Sequence, residues 1–230
     1  MPWLNHGKTT QGRNMRRLHN LLALTLVPLV AGCSMFAARG SGKPATESRD
    51  VSGFTAVELA GSGKLDIEQT GTESLTVTAD DNLLQYLVSE VQGGKLILRT
   101  QQGVSINPTV DVVYKLTVGK LNAISLAGSG TVDARRIATD SLKTSLAGSG
   151  DFTLSGQADE HEISVAGSGS VQGADLKSKS VKINIAGSGD VVVAASEKLD
   201  VDVAGAGSVE YIGDPVVSKR VLGSGSVKKH

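Results

Sequence analysis

From Val57 to Val227 apolar and polar residues alternate in short runs, and each run is interrupted by a pair of glycines around a small residue. Leu126–Gly130 and Leu146–Gly150 read LAGSG, Val165–Gly169 VAGSG, Ile185–Gly189 IAGSG, Val203–Gly207 VAGAG and Val221–Gly225 VLGSG, with an early copy at Leu59–Gly63. First glycines fall at 128, 148, 167, 187, 205 and 223, in steps of 20, 19, 20, 18 and 18. Two residues before them stand Leu59, Leu126, Leu146, Val165, Ile185, Val203 and Val221; four after them stand Leu65, Val132, Phe152, Val171, Val191, Val209 and Val227. Period-two apolar runs on both sides of a glycine corner predict strands, one parity facing in and the other out. A recurrence near 19 residues predicts a stacked solenoid, an all-β parallel β-helix. Coils stack at ~4.8 Å, so five steps advance the axis by roughly 24 Å.

The glycines expected at the corners are Gly61, Gly63, Gly128, Gly130, Gly148, Gly150, Gly167, Gly169, Gly187, Gly189, Gly205, Gly207, Gly223 and Gly225. A bend there needs backbone conformations open to glycine and leaves no room for a side chain between coils. A phosphate-binding loop is excluded, because no helix follows any copy. Serines 62, 129, 149, 168, 188 and 224 form a column that Ala206 interrupts, which suits packing better than catalysis.

Between Gly61 and Gly128 the period lapses for 67 residues. Leu75, Val77 and Ala79 alternate as a strand. Asn82–Gln92 is either a short helix or a strand, Gly93-Gly94 a tight turn into Leu96–Leu98, and Val110–Val118 another strand. A mixed β cap over the first coil is the expectation, since an uncovered solenoid end exposes unpaired strand groups.

The N-terminus changes the count of residues available to the fold. Arg16 and Arg17 precede a short apolar run, Leu21–Val30, and then Val30-Ala31-Gly32-Cys33. That run reads as a lipoprotein signal peptide over residues 1–32 with Met15 as an alternative start, and Cys33 as the lipidated first residue of the mature chain. Cys33 is the sole cysteine, so neither a disulfide nor a cysteine metal cluster is available. Lipid on Cys33 makes the membrane a partner, and Ser34 directs the expectation to the outer membrane of the cell envelope. Residues 33–49 read as a flexible tether, leaving 50–230 as one domain. Residues 1–32 hold four bases and no acids, leaving 19 basic against 23 acidic residues beyond them. That balance offers no footprint for nucleic acid.

The opening Val51-Ser52-Gly53-Phe54-Thr55-Ala56-Val57, Gly61-Ser62-Gly63, the Leu75 strand, Asn82-Leu83-Leu84, Gly94-Lys95-Leu96 and the LAGSG array resemble the auto-transporter adhesin, head GIN domain family, from Asp50 to the C-terminus. The resemblance implies a right-handed parallel β-helix on secreted or lipid-anchored envelope proteins. It implies no catalytic residues.

Candidate chemistry is sparse. Outward positions after the corner are Lys64, Thr131, Asp151, Ser170, Asp190, Ser208 and Ser226; two residues further are Asp66, Asp133, Thr153, Gln172, Val192, Glu210 and Lys228. Carboxylates in both columns read as separated, against the clustered acids of a sugar-cleaving β-helix. The only tryptophan, Trp3, lies in the leader, and Phe54 and Phe152 occupy core positions, which leaves Tyr211 as the place for a glycan platform. Calcium is disfavoured because the GGxGxD nonapeptide is absent. Asp159-Glu160-His161-Glu162, the densest polar cluster, reads as a charged inter-strand loop, not a metal site. No catalytic residue, cofactor or metal is expected. The function that follows is a non-enzymatic, lipid-anchored envelope protein making adhesion or scaffolding contacts with an envelope protein or polysaccharide; the alternative is a glycan-binding or glycan-cleaving β-helix.

The last coil ends at Val227 without a second cap, and Lys219, Arg220, Lys228, Lys229 and His230 gather there. These charges read either as gatekeepers or as the rim of an edge for end-to-end self-association.

Overall fold

The computed structural model describes residues 36–230. Strands β1 (Phe36–Arg39), β2 (Pro44–Arg49), β3 (Ala56–Gly61) and β4 (Lys64–Gln69) lead to β5 (Ser74–Asp80), β6 (Leu87–Gln92), β7 (Lys95–Thr100), β8 (Val104–Asn107) and β9 (Val113–Val118). The array runs through β10 (Ala123–Gly128), β11 (Thr131–Gly148), β12 (Asp151–Gly167), β13 (Ser170–Gly187) and β14 (Asp190–Gly205), and ends with β15 (Ser208–Ile212), β16 (Val216–Gly223) and β17 (Ser226–Lys229). From β10 onward every pairing is parallel, and the chain is a β-solenoid. Ile124, Thr144, Ile163, Ile183, Val201 and Lys219 stand in one column, so the repeat of the sequence is the register of the stack.

Inward parity supplies a continuous core. Leu126, Leu146, Val165, Ile185 and Val203 are buried, as are Val132, Phe152, Val171, Val191 and Val209 on the far side of the corner. Each such side chain stabilises the array by about 1.5–3 kcal/mol.

The corners explain the glycines. Gly167 has φ +127°, and an added Cβ would overlap the Gly148 carbonyl of the coil below. The next residue, Ser168, donates its backbone N–H to that same carbonyl at 2.9 Å. The bond repeats as Ser149 N–H to Gly128 O at 3.0 Å and Ser188 N–H to Gly167 O at 2.8 Å. Ala206 makes it equally well to Gly187 O, at 2.9 Å. Only the backbone of the serine column is used, which is why alanine fits there. Gly156, outside the motif, obeys the same rule: φ is +130° and an added Cβ would run into Ile137.

The lapse in the period is a doubling back. Gly61 pairs directly with Gly128, so β3 and β10 are neighbouring coils despite the 61 residues between them. In that excursion β7 pairs parallel to β3 and β9 parallel to β4, building one more coil beneath the first. Antiparallel β6 on β7, β5 on β9 and β2 on β5 complete the expected mixed cap. Asn82–Gln92 resolves into a 3-10 turn at Leu84–Tyr86 followed by strand β6.

Two expectations are overturned. Within the expected 33–49 tether, residues 36–49 are not a tether: β1 pairs with β8, and β2 pairs with β5 over six residues. Fully buried Asp80 fixes this segment, accepting backbone N–H groups from Gly42 (2.7 Å), Thr109 (2.9 Å) and Val110 (3.1 Å). Burial pushes its pKa up, but the N–H groups of Val110, Gly42 and Thr109 outweigh burial and hold the carboxyl below its ordinary value. A Cβ on Gly40 would collide with this carboxylate. The signal-peptide and Cys33 readings lie outside the described residues. The second correction concerns Asp159–Glu162, which is no loop but part of β12. His161 there points inward, 2% exposed, with Nε2 2.9 Å from Thr144 Oγ1 on the preceding coil.

Replacing Gly167 by alanine should cost about 3 kcal/mol in denaturant unfolding, from positive-φ strain and the carbonyl overlap together. Replacing Ser168 by alanine should cost less than about 0.5 kcal/mol. Burial depresses the His161 pKa from 6.5 to about 4, so the folded state holds the ring neutral while the unfolded chain protonates it. Stability should therefore be complete above pH 6.5 and fall as the pH drops towards 4, by about 3 kcal/mol. In the Thr144→Val/His161→Leu double variant that slope should be absent from unfolding curves measured over this range.

Candidate functional site

Outward positions define three surfaces: the columns after the corner, the groove before it, and the terminal edge. In the first column Lys64, Thr131, Asp151, Ser170, Asp190, Ser208 and Ser226 stand in register as the repeat predicts. Aspartates alternate with hydroxyls, and each is engaged: Ser170 Oγ donates to Asp151 at 2.5 Å and Ser208 Oγ donates to Asp190. This column is a hydrogen-bonded ladder.

The second column departs from its reading as separated acids. Because β4 lies directly against β11, Asp66 and Asp133 are neighbours on adjacent coils. A linear period cannot show this, since the two residues are separated by the whole excursion. Together with Glu68, Ser74, Thr76, Lys115, Thr117 and Arg135 they line a recess of about 460 Å³. Lys64 Nζ lies 3.0 Å from Asp66, while Arg135 grips Asp133 through Nε at 2.9 Å and through Nη2. Arg136 pairs with Glu68. Each acid faces its own cation, so the recess lacks the uncompensated carboxylate that general acid–base chemistry uses. Among the described residues no cluster of three His, Cys, Asp or Glu side chains is placed to hold a metal ion. His161 is in the core and apart from this recess.

On the other side of the corner a shallow groove of about 680 Å³ runs along the stack. Its floor is the column Ala127, Ala147, Ala166, Ala186 and Ala204, exposed because the alanine before each glycine faces out. Ser125, Ser145, Ser164 and Asn184 flank it. No aromatic side chain lines the groove. Phe54, Phe152 and Tyr114 are buried in the core, and Tyr211 is half-buried against it.

At the terminal edge β16 pairs only with β14, and β17 only with β15. The exposed large hydrophobics of the described residues, Ile212, Val216 and Leu222, all lie here, with Val216 77% and Leu222 67% accessible. Lys219 occupies the inward column that is Ile183 and Val201 in the coils below. Arg220 Nε bonds Asp202 at 2.7 Å, Lys229 pairs with Asp214, and His230 Nδ1 lies 3.2 Å from Glu210. Among the described residues Lys219 and Lys228 enter no ion pair.

Structures of known proteins share this architecture. A protein from Parabacteroides distasonis described as a putative lipid binding protein is 27% identical, with a TM-score of 0.59 over 84% of this chain and 99% of that one. A putative adhesin from Bacteroides fragilis is 24% identical, with a TM-score of 0.68 over 84% and 99%. A further putative adhesin from P. distasonis is 21% identical, with a TM-score of 0.56 over 84% and 100%. Comparison with curated proteins finds no match. The family model described as "Putative auto-transporter adhesin, head GIN domain" matches residues 53–215, and the chain belongs to that family.

Proposed function

We propose that this protein is a non-enzymatic, lipid-anchored component of the cell envelope whose solenoid makes adhesion or scaffolding contacts. The observation that carries the reading is the state of its outward acids. Along the columns after the corner each aspartate is engaged by a neighbouring hydroxyl or cation, so the wall is a rigid, repetitive surface. Membership of an adhesin-described family supports such a wall acting at the cell surface or in the envelope. The 27% identical relative described as lipid binding agrees with a site of action beside a membrane. Cys33, with Val30-Ala31-Gly32 before it, supplies the anchor, and Ser34 directs it to the outer membrane. The adjacent Asp66 and Asp133 are the observation that favours the second reading, a glycan-cleaving β-helix.

Contacts with other envelope components fall to the open terminal coil, where Val216 and Leu222 are exposed. Stacking a second copy there would bury Lys219, because it stands in the core column. An inward-pointing charge on an edge strand opposes pairing of like ends. The terminal coil therefore takes a heterologous partner and not a second copy.

Metabolic labelling with palmitate should mark the wild-type protein and fractionate it with membranes, while Cys33→Ser should lose both. Absence of label on the wild type removes the anchor. Incubation of the domain with envelope polysaccharides should release no new reducing ends; release that disappears in Asp66→Asn/Asp133→Asn would establish the glycan-cleaving reading instead. In light scattering behind size exclusion the wild type should be monomeric, and Lys219→Val should shift it towards dimers and larger species.

A further inference from the structure

We infer that the end of the solenoid formed by β1, β8 and the turn at residues 101–103 rests on the phospholipid headgroup surface, with the last coil directed away from it. This rests on the lipid anchor at Cys33 proposed above. Only Ser34 and Met35 separate Cys33 from Phe36, the first residue of β1. Three Cα-to-Cα steps span at most ~11 Å. The folded domain thus begins within that distance of the lipidated residue.

The strand at that point is held to the domain. Parallel β1–β8 pairing runs from Phe36–Val104 to Arg39–Asn107, and Gly40 N–H continues it to Asn107 O at 2.9 Å. Asn82 Nδ2 donates to Arg39 O at 2.8 Å and its Oδ1 accepts Ser41 N–H at 2.9 Å. Asp80 then takes Gly42 N–H. Peeling this segment away to lengthen the tether would strip a fully buried carboxylate and the β2–β5 ladder of their partners, which is strongly disfavoured.

Charge on this end matches a headgroup surface. Residues 36–39 and 101–107 hold no acid and one base, Arg39, in a mature chain with 23 acidic and 19 basic residues. Gln101, Gln102 and Gly103 are exposed beside the Phe36–Val104 pair. The walls are different. Even with ion pairs such as Arg135–Asp133 and Lys179–Asp159, residues 131–214 along them hold thirteen acids against seven bases, and anionic lipid repels a wall laid flat. Between β7 and β16 there are seven strand-to-strand steps, so the open coil stands ~34 Å along the stack from β7.

The lipidated protein in vesicles of phosphatidylethanolamine and phosphatidylglycerol, with a headgroup-attached quencher, tests this. A fluorophore is placed through Gln102→Cys or Ser224→Cys, the Cys33 thiol being blocked by its lipid. Quenching at position 102 should exceed that at 224 by about fivefold or more. Inserting twelve Gly/Ser residues between Met35 and Phe36 should bring the two values together while flotation with the vesicles is retained. Equal quenching at both positions, stronger quenching at 224, or quenching that ignores the insertion would overturn the inference. Flotation reports the anchor separately: a wild type that fails to float removes the anchored reading itself, whereas one that floats without preferential quenching removes only this orientation.

Discussion

Everything in this fold depends on how closely one coil can approach the next at the glycine corner. The carbonyl of each first glycine must accept the N–H of the residue after the next coil's glycine, and at 2.8–3.2 Å this leaves no volume for a Cβ between them. Positive φ turns the chain at the same residue, so a single position carries both the bend and the contact. Once it is met, the flanking strands fall into parallel register without adjustment, and the apolar columns close on one another. A repeated short contact of this kind fixes the coil spacing along the stack, and the core side chains then fill whatever that spacing leaves.

The same constraint explains how the surface came to be what it is. Because register is unbroken on both sides of each corner, the outward residues there meet their counterparts above and below at one strand spacing, and the register shifts fall farther from it. Like charges in such a column repel, whereas an acid beside a hydroxyl or a base is stabilised. Asp151 and Asp190 each have a serine above them, and Asp66 and Asp133, the one adjacent acidic pair in the columns after the corner, have Lys64 and Arg135. Stacking thus favours neutralised ladders over clustered, uncompensated groups.

The array was legible in the sequence because its information is local and periodic: the position of Gly128 predicts that of Gly148, and the parity of Leu126 predicts the core. Residues 71–122 were legible as a mixed cap of strands, with 82–92 open between helix and strand, but their pairings were not, because they are set by a reversal of chain direction that leaves no period. The adjacency of Asp66 and Asp133 was hidden for the same reason. Residues 44–49 escaped notice because an edge strand needs only its backbone groups to pair, and PATESR buries little. Asp80 gave no signal at all, since its role lies in three N–H groups from two distant loops. His161 misled through its neighbours: three acids suggest solvent, but Glu160 and Glu162 lie on the parity opposite to His161, and Asp159 stands where the alternation breaks after buried Ala158.

The two ends of the solenoid solve one problem by different physics. At the start, where β7 and β9 would expose a full coil, the chain folds back antiparallel strands and places Leu83, Leu84 and Leu87 over the core. At the finish there is no covering strand among the described residues. Instead Lys219 stands where every earlier coil but one has an aliphatic side chain, and its charge makes a further coil unfavourable without hiding the edge. A physical cap covers the core at its end; a charge leaves the other edge available to whatever partner can pair with a lysine. The asymmetry places the adaptable surface at the end remote from β1.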